Sequence, residues 1–147
     1  MNIPKLDDEY LIFGLLFMLG NRLQVIGDKF YDEITAKQWF VLLMLNLFGE
    51  NYPTMNELSE AVGSSHQNVK QLVLKLEQKG YVELFSDDFD KRKCRVKMTD
   101  RCEEINQKYQ TKQDEFIKEL FNGIEPETLK HTANALLKIE EKMEMMK

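Results

Sequence analysis

The stretch Leu58-Ser-Glu-Ala-Val-Gly-Ser-Ser-His-Gln-Asn-Val-Lys-Gln-Leu-Val-Leu-Lys-Leu76 decides how this chain folds. Its apolar residues form two groups, parted by a glycine and two serines. Leu58 and Val62 lie one helical turn apart, and Gly63 follows, a residue that readily takes the left-handed conformation closing a helix. Ser64 or Ser65 can then cap a second helix, since a serine oxygen accepts from the free N–H groups of a first turn. In that helix, spanning roughly His66 to Lys79, Val69, Leu72, Val73 and Leu76 repeat at i, i+3, i+4 and i+7 and give one buried stripe. With the stripe inward, Gln67, Asn68, Lys70 and Gln71 fall on or near the outer face. A short helix bracing a second one across a Gly-containing turn is the plan of a helix-turn-helix, which offers that outer face to a DNA major groove. Gln and Asn can pair with adenine edges, and Lys reaches guanine or phosphate. His66, at the helix start, can bind phosphate or serve only as part of the cap.

Working outward, Thr54-Met-Asn-Glu57 has the spacing of a capping box and opens the short helix Met55 to Val62. Upstream, Trp39, Phe40, Leu42, Leu43 and Leu47 place a helix over Ala36 to Leu47, ended by Gly49 and Tyr52-Pro53. A first helix is expected from Leu6 to Phe30. Its run Tyr10-Leu-Ile-Phe-Gly-Leu-Leu-Phe-Met-Leu19 is apolar around the whole circumference and needs cover on more than one face, for which a second subunit is a natural source. Downstream of Gly80, Tyr81 to Phe85 alternates as a strand and Arg95 to Met98 is its antiparallel partner, with a polar hairpin loop from Ser86 to Lys93. The tip, Lys91-Arg92-Lys93, can reach a minor groove or the phosphate backbone. Thr99-Asp100 can cap a long helix toward Phe121, Asn122-Gly123 breaks it, and Pro126 suits the first turn of a last helix. The fold class expected is mainly α with a small β-hairpin wing.

From Met55 to Thr99 the sequence resembles the DNA-binding core of the MarR family of winged helix-turn-helix transcriptional regulators. The resemblance lies in Leu58-Ser-Glu-Ala-Val-Gly63, in Ser65-His-Gln-Asn-Val-Lys-Gln-Leu-Val73 and in Leu76-Glu-Gln-Lys-Gly-Tyr-Val82. In the wing, Asp87, Asp90 and Arg92 match the family's Asp-x-Arg-Asp-x-Arg pattern, and Met98-Thr99 stands where Leu-Thr follows. Two positions depart from the pattern: Phe89 replaces a frequent basic residue, and Cys102 stands near a frequent glycine. The resemblance implies a bacterial, cytoplasmic homodimer on a pseudo-palindromic operator, acting as a regulator and usually as a repressor. It implies one MarR-type domain over residues 1–147, with a DNA-binding lobe at 34–99 and dimerisation helices at 1–33 and 100–147. The DNA-contacting set would be Ser65, His66, Gln67, Asn68, Lys70, Gln71, Lys91, Arg92 and Lys93. A small-molecule effector would meet Phe13, Phe17, Trp39, Phe40 and Tyr109, residues that can equally be plain core.

Composition sets the outer bounds. With 147 residues, 43% of them hydrophobic, the chain suits one domain. A net charge of −5 excludes a generic nucleic-acid coat. The segment Ser64–Lys97 nevertheless holds eight Lys/Arg against five Asp/Glu, so a local basic surface sits on an acidic body. Cys94 and Cys102 make no disulfide framework and suit a reducing compartment. Cys94, between Lys93 and Arg95, has the better setting for a reactive thiol, but the plain reading is an ordinary cysteine. His66, Cys94, Cys102 and His131 lack metal-ligand spacing, and no cofactor is expected. No phosphate-cradling glycine loop, nucleophile elbow or clustered His/Asp/Glu set points to an enzyme. The run Tyr10 to Leu19 is shorter than the roughly 20 residues of a membrane span, so no membrane partner is expected. The alternative from another class is a winged-helix protein-interaction adaptor without DNA affinity.

Overall fold

Local signals set most element boundaries in the computed structural model, which describes residues 6–147. Among these residues the order is α1 (Asp8–Phe30), α2 (Ala36–Phe48), α3 (Met55–Val62), α4 (His66–Gln78), β1 (Val82–Ser86), β2 (Cys94–Met98), α5 (Arg101–Leu120) and α6 (Pro126–Glu144). Capping boxes open α2 and α3. The Thr35 and Thr54 hydroxyls accept from the N–H groups of Gln38 and Glu57, whose side chains reach back to the cap N–H. Pro126 opens α6, where a missing N–H costs nothing. The expected helices are therefore present, with ends that differ by a residue or two.

The chain divides into two compact units, one running through Gln107 and the other spanning Lys108–Lys147. In the first, α2 is central and packs against α1, α3, α4 and β2. Val41 of α2, Leu58 of α3, Val69, Val73 and Leu76 of α4 and Val96 of β2 are fully buried. Burying each such side chain contributes about 1.5–3 kcal/mol. The strands pair antiparallel with Val82 opposite Met98 and Ser86 opposite Cys94. β2 is held on its other side as well: Val96 N–H donates to the Pro53 carbonyl at 3.0 Å, and Arg95 forms a bridge with Thr54. The wing is thus tied to the loop that leads into α3. This is a winged helix-turn-helix.

No residue of α1 is buried. Tyr10, Phe13 and Phe17 are 70%, 63% and 66% exposed. The apolar run is short, as the sequence implies, but the helix continues past it through Leu23, Val25 and Ile26. The full helix is long and apolar enough to cross a membrane by length and composition. It lies against α2 through a close approach, since a Cβ placed on Gly27 would come within 2.6 Å of the Ala36 Cβ.

The second unit holds the end of α5 and α6, joined by a turn at Gly123. No residue of α6 is buried, and Leu136, Leu137 and Met143 are exposed on it.

Candidate nucleic-acid interface

The turn between α3 and α4 fixes where the second helix points. Gly63 takes φ 68° and ψ 33°, a conformation that is costly for side-chain-bearing residues, and its N–H caps the end of α3. Ser65, not Ser64, is the N-cap of α4, its hydroxyl accepting from Asn68 N–H at 3.3 Å. His66 Nδ1 lies 2.7 Å from the Asn56 side-chain oxygen, which suits an Nδ1–H that donates and links the first turn of α4 to α3. The far end of α4 is held too. The Lys79 ammonium donates to the Glu33 carbonyl at 2.8 Å and to the buried Gln38 side chain at 3.0 Å. Arg101 donates to the Lys79 carbonyl at 2.6 Å while lying over the Tyr81 ring, and the Thr99 hydroxyl donates to the Gly80 carbonyl at 2.5 Å.

With both ends pinned and Val69, Val73 and Leu76 buried, Gln67, Asn68, Lys70 and Gln71 are all exposed on the outer face. Ser65 and His66 are exposed at its N-terminal end. Lys91, Arg92 and Lys93 are exposed on the wing.

Several basic residues are committed to the protein itself. Arg92 is 90% exposed, yet its guanidinium makes a two-pronged pair with Asp90, at 3.1 and 3.3 Å. That pairing holds the Asp90 carboxyl below its ordinary range. Arg95 pairs with Asp87, donates to the Tyr52 carbonyl at 2.6 Å and lies 3.9 Å from Glu57. Lys97 pairs with Glu83 across the strands at 3.3 Å. Of the eight cations in Ser64–Lys97, Lys70, Lys75, Lys91 and Lys93 are exposed and make no ion pair among the described residues. The basic surface is therefore smaller than the residue count suggests.

Asp87, named in the sequence only as part of the wing pattern, is the support beneath the wing tip. It is buried, and one carboxylate oxygen accepts from the N–H groups of Phe89 at 2.9 Å and Asp90 at 2.8 Å. Its other oxygen meets Arg95. The Asp90 N–H, then the Arg95 guanidinium, bring its pKa from 3.8 down to about 2. An aspartate accepting from backbone N–H groups two and three residues on is a recognisable turn signal in the sequence. Its link to Arg95 is not, because that contact exists only once the strands pair.

The aromatic candidates for an effector site are placed as follows. Phe13 and Phe17 make an edge-to-face pair on α1, with ring centroids 5.2 Å apart. Trp39 stacks on Tyr31 at 6.2 Å, and Phe40 is more than a third exposed. Tyr109, in the second unit, is buried. A cavity of about 120 Å³ in the first unit is lined by Leu45, Tyr52, Pro53, Val96 and Met98 among others, and by none of these five. Cys102 is buried, with its thiol against the Tyr81 carbonyl at 3.1 Å, and burial pushes its pKa up to about 11. That is an inert thiol. Cys94 is exposed. Among the described residues there is no cluster of His, Cys, Asp and Glu able to hold a metal ion.

The sequence profile of the MarR family matches residues 33–93. Among curated proteins, none matches the chain. Solved structures do. A MarR protein from Peptoclostridium difficile is 24% identical, with a TM-score of 0.80 over 99% of this chain and 94% of its own. MepR of S. aureus, solved as a complex with DNA, is 19% identical with a TM-score of 0.73 over 94% of this chain and 99% of its own. BpsR of Bordetella bronchiseptica, whose DNA binding is described as regulated by 6-hydroxynicotinic acid, is 19% identical with a TM-score of 0.74 over 88% of this chain and 98% of its own. The profile match covers the helix-turn-helix and most of the wing, and the fold match extends over nearly all of the chain. Residues 33–93 thus match the MarR family, and the chain as a whole has the fold of that family's winged-helix transcriptional regulators.

Proposed function

We propose that this protein is a sequence-specific DNA-binding regulator of transcription that acts as a homodimer on a pseudo-palindromic operator. The observation that carries the reading is α4: Val69, Val73 and Leu76 fully buried with Leu72 half-buried beside them, both ends pinned, and Gln67, Asn68, Lys70 and Gln71 exposed together on the opposite face. Gln67 and Asn68 read base edges, Lys70 and Gln71 contact bases or phosphate, and Ser65 and His66 sit where helix N-terminal N–H groups favour a phosphate. Lys91 and Lys93 neutralise phosphates beside the wing, and Arg92 does so in competition with Asp90.

The lobe spans 34–99, and the helices at 1–33 and 100–147 serve dimerisation. The run Tyr10 to Leu19 of α1, apolar around its circumference and without a buried residue, supports this. Asn21, Arg22 and Gln24 interrupt the apolar surface of α1, which favours a second copy over lipid as its cover. Repression in a bacterial cytoplasm is the family's usual mode. An effector is supported by BpsR, and it acts only through unequal affinity for DNA-competent and DNA-incompetent states. The assignment of Phe13, Phe17, Trp39, Phe40 and Tyr109 to such a ligand rests on the family resemblance alone.

Selection of binding duplexes from a random pool, followed by salt titration, tests the reading. The expected outcome is half-sites about one helical turn apart. The three unpaired lysines assigned to DNA, Lys70, Lys91 and Lys93, predict a log–log salt slope of about −2.7 per protomer. A protein-interaction adaptor selects no duplex and shows no such slope.

A further inference from the structure

The fully exposed ring of Phe89 is a side chain to which the proposed function assigns no role. Phe89 is 100% exposed, whereas every other phenylalanine in the described residues keeps at least part of its ring covered. An isolated apolar side chain on a surface is ordinary and needs no explanation. The mounting of this one is not ordinary. Its N–H is held by Asp87 at 2.9 Å, Asp87 is buried and locked by Arg95, and Arg95 reaches across to the Tyr52 carbonyl. The loop is closed again by Asp87 N–H to the Lys93 carbonyl and by Lys93 N–H to the Asp90 carbonyl, both at 2.9 Å. The backbone beneath the ring is therefore fixed before any partner arrives, so ordering it on binding costs little.

The surroundings select the partner. Lys91 and Lys93 lie exposed in the same loop, and Arg92 stands 90% exposed beside them. Asp88 is an exposed carboxylate next to the ring, and Asp90 on its other side is paired with Arg92, which leaves Lys91 and Lys93 against Asp88 and a small positive excess in the loop. An apolar ring in a loop with a net positive excess suits a surface whose rim is anionic and whose interior is apolar. A duplex has that character, with phosphates flanking stacked bases. In minor-groove complexes phenylalanine enters between base steps, unstacks them and kinks the helix. The steps that yield most readily are pyrimidine–purine steps.

We infer that Phe89 is a wedge that enters the DNA minor groove beside each half-site and partly unstacks one base step there. The inference rests on the DNA-binding reading above. It replaces hydrogen-bond or charge readout at the wing tip by readout of how easily the step deforms. The wing would then prefer a pyrimidine–purine step at a position that no polar side chain of the protein touches.

The test uses the full-length protein and a duplex that the wild type selects from a random pool, carrying 2-aminopurine at successive flanking positions. Wild type should raise the fluorescence at one step per half-site, the sign of unstacking. Phe89→Ala should abolish that rise and weaken binding about tenfold, with an unchanged salt slope. Phe89→Leu should keep part of both effects. Phe89→Arg should bind without the fluorescence rise and steepen the salt slope by about 1 per protomer. The thermal midpoint should not move in any variant, because the ring packs against nothing. If wild type selects no duplex, the DNA-binding reading and the wedge fall together. If it binds with full affinity and the same fluorescence after Phe89→Ala, the wedge alone is overturned. A loss of binding to anionic vesicles in Phe89→Ala, with DNA binding intact, also overturns it.

Discussion

Helices α1 and α4 carry opposite kinds of incompleteness. α4 buries Val69, Val73 and Leu76 and exposes a polar face that water satisfies. It is complete as a folded element and open only as a recognition surface. α1 buries nothing and exposes Phe13, Phe17, Leu19, Leu23 and Val25. Within the first unit, the described residues complete the core of the winged lobe and leave most of the surface of α1 exposed. Hydrogen bonding follows the same division. Both ends of α4 are tied to other elements: His66 and Lys79 reach out to Asn56 and to Glu33 and Gln38, while Arg101 and Thr99 hold the carbonyls of Lys79 and Gly80. The N-cap of α1, Asp7, makes no side-chain capping bond.

The sharpest way to break this contrast is a pair of truncations. Leu58→Ala, at a fully buried position, should cost about 2–5 kcal/mol in urea unfolding, independent of protein concentration. Phe17→Ser, at a position two-thirds exposed, should leave the lobe's own stability alone and shift the protein toward monomer in sedimentation. A Phe17→Ser variant that unfolds early but sediments as wild type would show that α1 is covered from within the chain.

A finer division lies inside α1, where three glycines meet different surroundings. A Cβ at Gly14 or Gly20 meets nothing within 4 Å, so alanine there should stabilise the helix by about 1 kcal/mol. At Gly27 the same change drives a Cβ to 2.6 Å from Ala36, and overpacking of this kind costs about 1–3 kcal/mol. Thermal unfolding at two protein concentrations distinguishes these cases. Loss of stability at Gly14 or Gly20 that grows on dilution would place a second copy against that side of α1.

The smallest effect is a titration. Asp87 has a folded pKa of about 2, below its ordinary 3.8, so its ionised form favours the folded wing. That contribution is fully present above about pH 4 and is lost as pH falls through about 2. Carboxyl chemical shifts of Asp87, together with amide shifts of Phe89 and Asp90, should follow one titration in that range. Asp87→Asn should remove it and loosen the wing tip at neutral pH as well.

Much of the lobe was legible because its signals are local. Thr54 and Glu57 mark the start of α3, Gly63 its end, and the 69/72/73/76 spacing decides which face of α4 turns inward. The strands were placed to within a residue: Tyr81 to Phe85 became Val82–Ser86, and Arg95 to Met98 gained Cys94. Strand ends depend on the partner's register, which no single strand encodes. The wing was the least legible part. The family pattern singles out Arg92 among the wing's cations, but Asp90 has already claimed it, while Arg95 serves Asp87 and Tyr52.

By itself the sequence determined that a capped short helix, a glycine turn and an amphipathic helix follow one another. It also determined that the central run of the first helix, Tyr10 to Leu19, is apolar all round. These properties are written in spacing, because the helical period and the left-handed preference of glycine act within a few residues. Only the tertiary structure decided which cations stay exposed on the recognition surface, and that Asp87 and Arg95 brace the wing beneath Phe89. Apart from the local Arg92–Asp90 pair, those outcomes need residues eight or more apart to meet, as Arg95 meets Asp87 and Lys79 meets Glu33. A charge's role is set by its neighbours in space, and chain order does not fix them.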